Sequence, residues 1–167
     1  MFLNKRKTIF LISILTIIFI FTFNYFKPQK IRVVDGDTIH LNGEKIRFSG
    51  IDTPELNQTC VKDDVIYPCG VTAKEILIQK IDNNIVKCIS EGKDQYKRTL
   101  AECFVNKESL SSYLVRSGYA FAYRRYSKKF VIDEDFAKKN QVGMWSMNFD
   151  YPWDYRKKRC SVIKPLI

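Results

Sequence analysis

Val33-Val34-Asp35-Gly36-Asp37-Thr38-Ile39-His40-Leu41-Asn42-Gly43-Glu44-Lys45-Ile46-Arg47-Phe48 is the stretch whose reading decides the fold. Apolar and polar residues alternate over Ile31 to Val34, Thr38 to Leu41 and Lys45 to Phe48. Asp35-Gly36 separates the first pair and Asn42-Gly43 the second, both dipeptides that accept the positive φ of tight hairpin turns. Three strands in succession follow from this pattern. Farther on, Ile85 to Ser90 and Arg98 to Val105 read as another strand pair. Between the two sets, apolar residues at Val71, Ile76, Leu77, Ile78 and Ile81 predict a helix over 71–81 with one buried face. A second helix is predicted over 108–116, with Gly118 as its C-terminal cap, and a third over 130–140. Few, short strands with helices around them predict an α+β fold, an OB-like five-stranded barrel with flanking helices. That closed architecture buries its edges and presents one face to oligonucleotides.

The chain of 167 residues is long enough for one domain with a real core. With 46% hydrophobic and 14% aromatic residues it has the composition of a globular protein. Its net charge is +10; removing the three charges of Lys5, Arg6 and Lys7 leaves +7 on the remainder. A surplus of this size concentrates polyanions such as nucleic acid near the surface. Attraction to anionic lipid and plain solubility are equally good accounts of charge alone.

Residues 1–26 differ in character: a basic head, Met1 to Lys7, precedes a nearly continuous apolar run from Thr8 to Phe26. Nineteen helical residues rising ~1.5 Å each span roughly 28 Å, near the hydrocarbon thickness of a bilayer. Phe23-Asn24-Tyr25-Phe26 offers no small-x-small cleavage site, so an uncleaved transmembrane anchor is favoured over a secretory signal. Positive charge before the span predicts a single-pass protein with its domain outside the cytoplasm; secretion after cleavage is the alternative. The expected organisation is an anchor over 1–26, a domain over 27–149 and a solvated basic tail over 150–167 carrying Arg156-Lys157-Lys158-Arg159, in a monomeric chain.

Five cysteines agree with export. Cys60 and Cys69 bracket a short polar loop. Cys88 and Cys103 are equidistant from the turn between Gln95 and Tyr96, so an antiparallel pairing sets them opposite one another, within disulfide reach. The pairings expected are Cys60–Cys69 and Cys88–Cys103, with Cys160 unpaired, although four cysteines permit three pairings.

The acids carry the chemistry. Asp35 and Asp37 flank a glycine and alternate to the same side, and Asp52 ends the following strand. Oxygen donors without histidine or cysteine select Ca²⁺ or Mg²⁺. Asp52-Thr53-Pro54-Glu55 has a competing explanation as a helix start, with aspartate as cap, proline at the first turn and glutamate three residues on. Arg47, and Tyr96-Lys97-Arg98, could each be solvated strand and hairpin residues. Their occurrence together, on strands a small barrel would unite, argues for one site.

These residues resemble the thermonuclease, or staphylococcal-nuclease-like, family. The resemblance runs through Val34-Asp35-Gly36-Asp37-Thr38, Arg47, Ile51-Asp52-Thr53-Pro54-Glu55 and Asp94-Gln95-Tyr96-Lys97-Arg98-Thr99-Leu100-Ala101. It continues through Leu114-Val115-Arg116-Ser117-Gly118-Tyr119-Ala120 and Ala122-Tyr123 to Gly143-Met144-Trp145, covering about residues 31–146. It implies a Ca²⁺-dependent phosphodiesterase acting on DNA and RNA. Asp37, Asp52 and the Thr53 carbonyl would hold the metal, with Asp35 in support. Arg47, Glu55 and Arg98 would form the catalytic set, and Tyr96 and Tyr123 would contact nucleotide. The chain departs from the family pattern at Gln95, at Lys97 where a glycine is common, and at Arg125 where a second tyrosine is common. The competing reading is a non-catalytic OB-fold module that binds nucleic acid, which would leave Glu55 without a task. A structural envelope protein would leave all five charged residues idle.

Overall fold

The structure, a computed structural model, describes residues 5–25 and 28–163. Its elements are α1 (Lys5–Tyr25), β1 (Ile31–Val33), β2 (Thr38–Leu41), β3 (Glu44–Phe48), β4 (Ile51–Asp52), β5 (Cys60–Lys62), β6 (Val65–Tyr67) and α2 (Cys69–Ile81). Then follow β7 (Val86–Lys93), β8 (Thr99–Val105), β9 (Glu108–Ser109), α3 (Leu110–Arg116), β10 (Phe121–Ala122), α4 (Val131–Lys139) and α5 (Pro152–Ile163). The expected meander is present: β1, β2 and β3 pair antiparallel, with Thr38 opposite Arg47. Asn42 and Gly43 both take positive φ, 53° and 91°, as a two-residue turn between right-twisted strands demands.

The sheet is mixed, ordered β1-β2-β3-β8-β7 with β9 beside β8. β8 lies parallel to β3, with Ile46 opposite Thr99 and Arg47 opposite Leu100, while β7 is antiparallel to β8. The two ends of this order are linked by a side chain. Gln29, just before β1, donates from Nε2 to the Val86 carbonyl (2.8 Å) and accepts the Val86 N–H at Oε1 (2.8 Å). Its amide thus does the work of a backbone bridge between β1 and β7. The α+β class and OB-like arrangement agree with expectation.

Inward-facing Ile39, Ile46, Phe48, Ala101, Cys103 and Val105 form the sheet side of the main core, closed by Leu77 and Ile81 of α2 and Leu110, Leu114 and Val115 of α3. Each large apolar side chain buried here contributes roughly 1.5–3 kcal/mol. α2 starts at Cys69, two residues before the expected Val71. α3 starts at Leu110 because Glu108 and Ser109 are taken into β9, and the Ser109 hydroxyl accepts the Ser112 N–H as its cap. Gly118, at φ 74°, ends it as the sequence predicts.

A second, aromatic core surrounds Phe121 and Met144 together with Cys60 and Cys69. The Phe121 ring lies 5.4 Å from Trp145, 5.2 Å from Phe149 and 5.1 Å from Tyr151. Both disulfides are formed, Cys60–Cys69 and Cys88–Cys103. Cys88 and Cys103 are direct register partners. Cys160 is unpaired and exposed.

Two expectations require correction. Among the described residues no helix is long and apolar enough to cross a membrane, which overturns the single-pass anchor and the localisation drawn from it. α1 takes the basic residues from Lys5 onward into its first turn, and Ser13 and Thr16 interrupt its apolar run, their hydroxyls bonded to the Phe10 and Ser13 carbonyls. Residues 1–4 and Phe26 of the expected anchor, Lys27 at the start of the expected domain and 164–167 of the expected tail lie outside the described residues. The expected solvated tail is largely helical and docked at its start: Phe149 and Tyr151 lead into α5, whose Trp153 packs with them on the second core, while residues 157–161 are exposed.

Candidate active site

The carboxylates of Asp37, just before β2, and Asp52, in β4, meet on the guanidinium of Arg47. Thr38 opens β2 and pairs with Arg47, so Asp37 stands beside Arg47 at the mouth of that hairpin. Gly50 turns the chain back, and Ile51–Asp52 pairs with Phe121–Ala122 of β10. Arg47 Nη1 donates to Asp37 Oδ1 (2.6 Å) and Nη2 to Asp52 Oδ1 (2.9 Å). Asp37 and Asp52 are 2% and 0% exposed. Asp37 Oδ1 also accepts the Thr38 hydroxyl, and Oδ2 accepts the Thr53 N–H (3.2 Å). Asp35 is tied to the group through its backbone neighbour, its Oδ1 accepting the Asp37 N–H.

This cluster carries more negative charge than Arg47 neutralises. Burial pushes the Asp37 carboxyl up to about 7; Arg47 opposes the rise, while Asp35 and Asp52 add to it. Arg47 itself holds its proton above the ordinary range, because the attraction of Asp37 and Asp52 outweighs its own burial. A buried carboxylate pair of this kind gains from a further cation.

Thr53-Pro54-Glu55 does not start a helix; it is an irregular connection after β4. Gln58, 1% exposed, fixes that connection. Its Oε1 accepts the Glu55 N–H (3.2 Å), its own N–H reaches the Glu55 carbonyl (2.7 Å), and its Nε2 donates to the Asp150 carbonyl (2.6 Å). α2 closes from the other side: a Cβ on Gly70 would lie 1.8 Å from the Glu55 carbonyl oxygen, so only glycine permits this approach. The Glu55 side chain, 38% exposed, remains at the surface of the cluster.

Arg156 of α5 completes the group. Its Nη2 donates to Asp52 Oδ2 (2.6 Å), and its Nη1 reaches Glu55 Oε1 (2.8 Å) and Asp52 Oδ1 (3.3 Å). These contacts outweigh the burial of the guanidinium and hold its proton above the ordinary arginine range. Asp37, Arg47, Asp52, Thr53 and Glu55 are therefore together, as the sequence suggests.

Arg98 makes its described contacts with Asp94 and Tyr96 and not with that group. It precedes Thr99, the register partner of Ile46 on the strand beside Arg47. Its Nε donates to Asp94 Oδ2 (2.6 Å), and its N–H to Asp94 Oδ1 (2.9 Å). Burial raises the Asp94 carboxyl more than any one of these contacts lowers it, but together with one from the Tyr96 N–H the bonds outweigh it, so its carboxyl lies below the ordinary range. Tyr96 is 71% exposed, with the Arg98 guanidinium 5.5 Å from its ring centre. Lys97 adopts φ 63° at this turn, a conformation that favours glycine. Tyr123 stacks on Trp153, ring centres 5.8 Å apart and planes within 8°, and its N–H bonds the Gly50 carbonyl just before β4.

Sequence reasoning missed Gln58 and Arg156. A run of four basic residues reads as solvated, yet Phe149, Tyr151 and Trp153 immediately before it are the signal that this segment docks. Among the described residues no group of three or more His, Cys, Asp or Glu is arranged to hold a metal. The donors present, carboxylate and carbonyl oxygens, nevertheless suit a hard cation by their chemistry. Arg156 occupies both oxygens of Asp52 in this arrangement.

The model of the family described as "Staphylococcal nuclease homologue" matches residues 45–147. The chain belongs to this family. It is 31% identical over 159 residues to an uncharacterized protein of Methanocaldococcus jannaschii, covering 77% of this chain and 75% of that protein. It is 28% identical over 125 residues to an uncharacterized endonuclease of Haemophilus influenzae, covering 71% and 65%. With endonuclease YhcR of Bacillus subtilis the identity is 33% over 148 residues, 76% of this chain and 12% of that longer protein.

Proposed function

We propose that this protein is a Ca²⁺-dependent nuclease that hydrolyses phosphodiester bonds in DNA and RNA. The observation that carries this reading is the convergence of buried Asp37 and Asp52 on Arg47, with Glu55 tethered beside them. Family membership and relatives named as endonucleases support it. Asp37, Asp52 and the Thr53 carbonyl would hold the cation, with Asp35 in support. Bound there, Ca²⁺ supplies Lewis-acid stabilisation of charge on a phosphate oxygen. Glu55 is more exposed than the buried Asp37 and Asp52, so it is suited to orient and deprotonate the attacking water. Arg47 Nη1 and Nη2 each spend one proton on Asp37 and Asp52, and the remaining N–H groups of its planar guanidinium would pair with the developing phosphorane. Among its described contacts, Arg98 spends only Nε and its backbone N–H on Asp94, which leaves two terminal nitrogens for the phosphate. Tyr96 offers an exposed ring to a flanking base, and Tyr123, stacked on Trp153, would extend that aromatic surface to a second; such stacking tolerates many sequences. The two disulfides suit an oxidising environment.

The test is digestion of heat-denatured DNA and of RNA with Ca²⁺ or with chelator. Glu55→Gln should lower turnover by about 10²–10⁴, and chelator should stop cleavage. Cleavage that ignores chelator, or a Glu55→Gln variant at the parent rate, would contradict the reading and favour the non-catalytic binding module.

A further inference from the structure

Arg156 lies outside the residues matched by the family model, and no role in the proposed reaction requires it. It nevertheless makes three bonds to the two carboxylates closest to the proposed chemistry. Asp52 Oδ1 already accepts Arg47 Nη2, and Arg156 adds Nη1 to that oxygen and Nη2 to Oδ2. A carboxylate offers about four lone-pair positions, so Asp52 is left with little capacity for another ligand. The same guanidinium draws Glu55 toward Asp52 through Nη1. Arg156 therefore provides, from within the chain, positive charge that an oxygen-ligated cation would otherwise bring to these acids.

The mounting of Arg156 permits exchange. It sits on α5, and of that helix's described residues Pro152 alone is buried. Past the aromatic anchor, α5 is held to the connection after Glu55 by polar contacts. Tyr155 Oη donates to the Asn57 carbonyl (3.2 Å) and Arg159 Nη1 to Asn57 Oδ1 (3.2 Å). Arg47, by contrast, projects from a central strand of the sheet.

We infer that Arg156 is a positioning residue that holds Asp52 and Glu55 in the cation-free protein and competes with the cation for them, setting the affinity of the site. This inference rests on the proposed Ca²⁺ dependence. If Arg156 occupies these carboxylates about nine-tenths of the time, cation affinity is lowered about tenfold, because only the vacant fraction is competent to bind.

The test is calorimetric titration of the full chain with CaCl₂, without nucleic acid, for the parent, Arg156→Ala, Arg156→Lys and Lys157→Ala. Arg156→Ala should bind Ca²⁺ about tenfold more tightly, and Arg156→Lys, which keeps charge but loses the fork, should fall between it and the parent. Lys157, exposed and bonded only to Asp154 of the same helix among its described contacts, gives the control: Lys157→Ala removes an equal charge and should stay within about twofold of the parent. In parallel, Ca²⁺ should raise the melting temperature of Arg156→Ala more than that of the parent. Unchanged or weaker binding in Arg156→Ala, or an equal gain in Lys157→Ala, would overturn the inference. If the parent cleaves DNA only with Ca²⁺ while Arg156→Ala binds like the parent, the inference alone fails. If the parent neither binds nor needs Ca²⁺, the Ca²⁺ reading fails and takes the inference with it.

Discussion

The wall formed by β2, β3 and β4 and the segment from Phe149 through α5 both deliver a guanidinium to the same acids, by opposite means. Arg47 comes from a sheet strand, 19% exposed, and reaches carboxylates within ten residues of it in the chain. Arg156 comes from a helix at the chain's far end, 39% exposed, and reaches across 104 residues to Asp52. The first is built into the hydrogen-bonded lattice of the barrel, and the second is carried to the site by aromatic packing and a few polar contacts. A rigidly mounted charge is suited to a transition state, which rewards preorganisation. A loosely mounted one is suited to occupy the site between events.

Removing each arginine should separate the two regions most clearly. Arg47→Ala leaves two buried carboxylates short of a partner and should cost about 3–5 kcal/mol of stability in chelator. Arg156→Ala leaves Asp52 still paired with Arg47 and should cost about 1 kcal/mol or less. Urea unfolding of both variants checks this; equal losses would erase the distinction. An effect between these two should come from the Cys60–Cys69 disulfide, which belongs to the aromatic core that carries the C-terminal segment. Replacing both cysteines by serine frees a short loop and should cost about 2–3 kcal/mol. Hydrogen exchange should then increase at α5 and β5 while the β2–β3 hairpin stays protected.

Much of the sheet wall is legible in sequence because its signals are local. Asn42-Gly43 specifies a turn by backbone conformation alone, and the spacing of Cys88 and Cys103 about a turn makes them register partners. Gly118 announces the end of α3 in the same way. The C-terminal segment is fixed by contacts distant in sequence: Gln58 with Asp150, Tyr155 with Asn57, Arg156 with Asp52. No periodicity encodes these. The short strands β5 and β6 escaped because three residues each in a polar loop carry no clear alternation, and β10 because two buried residues are too few to show one. Composition of the Thr8–Phe26 run suggested a span, but composition does not establish one, and the described helix does not meet that requirement.

The most direct test of the central claim, that the guanidinium fork beside Asp37 and Asp52 acts on the phosphate, is single-turnover cleavage of heat-denatured DNA by Arg47→Lys in saturating Ca²⁺. Lysine keeps the charge and loses the paired donors. A rate about 10²–10³ below the parent, with the fold intact by circular dichroism, is the predicted result. Cleavage near the parent rate would contradict it.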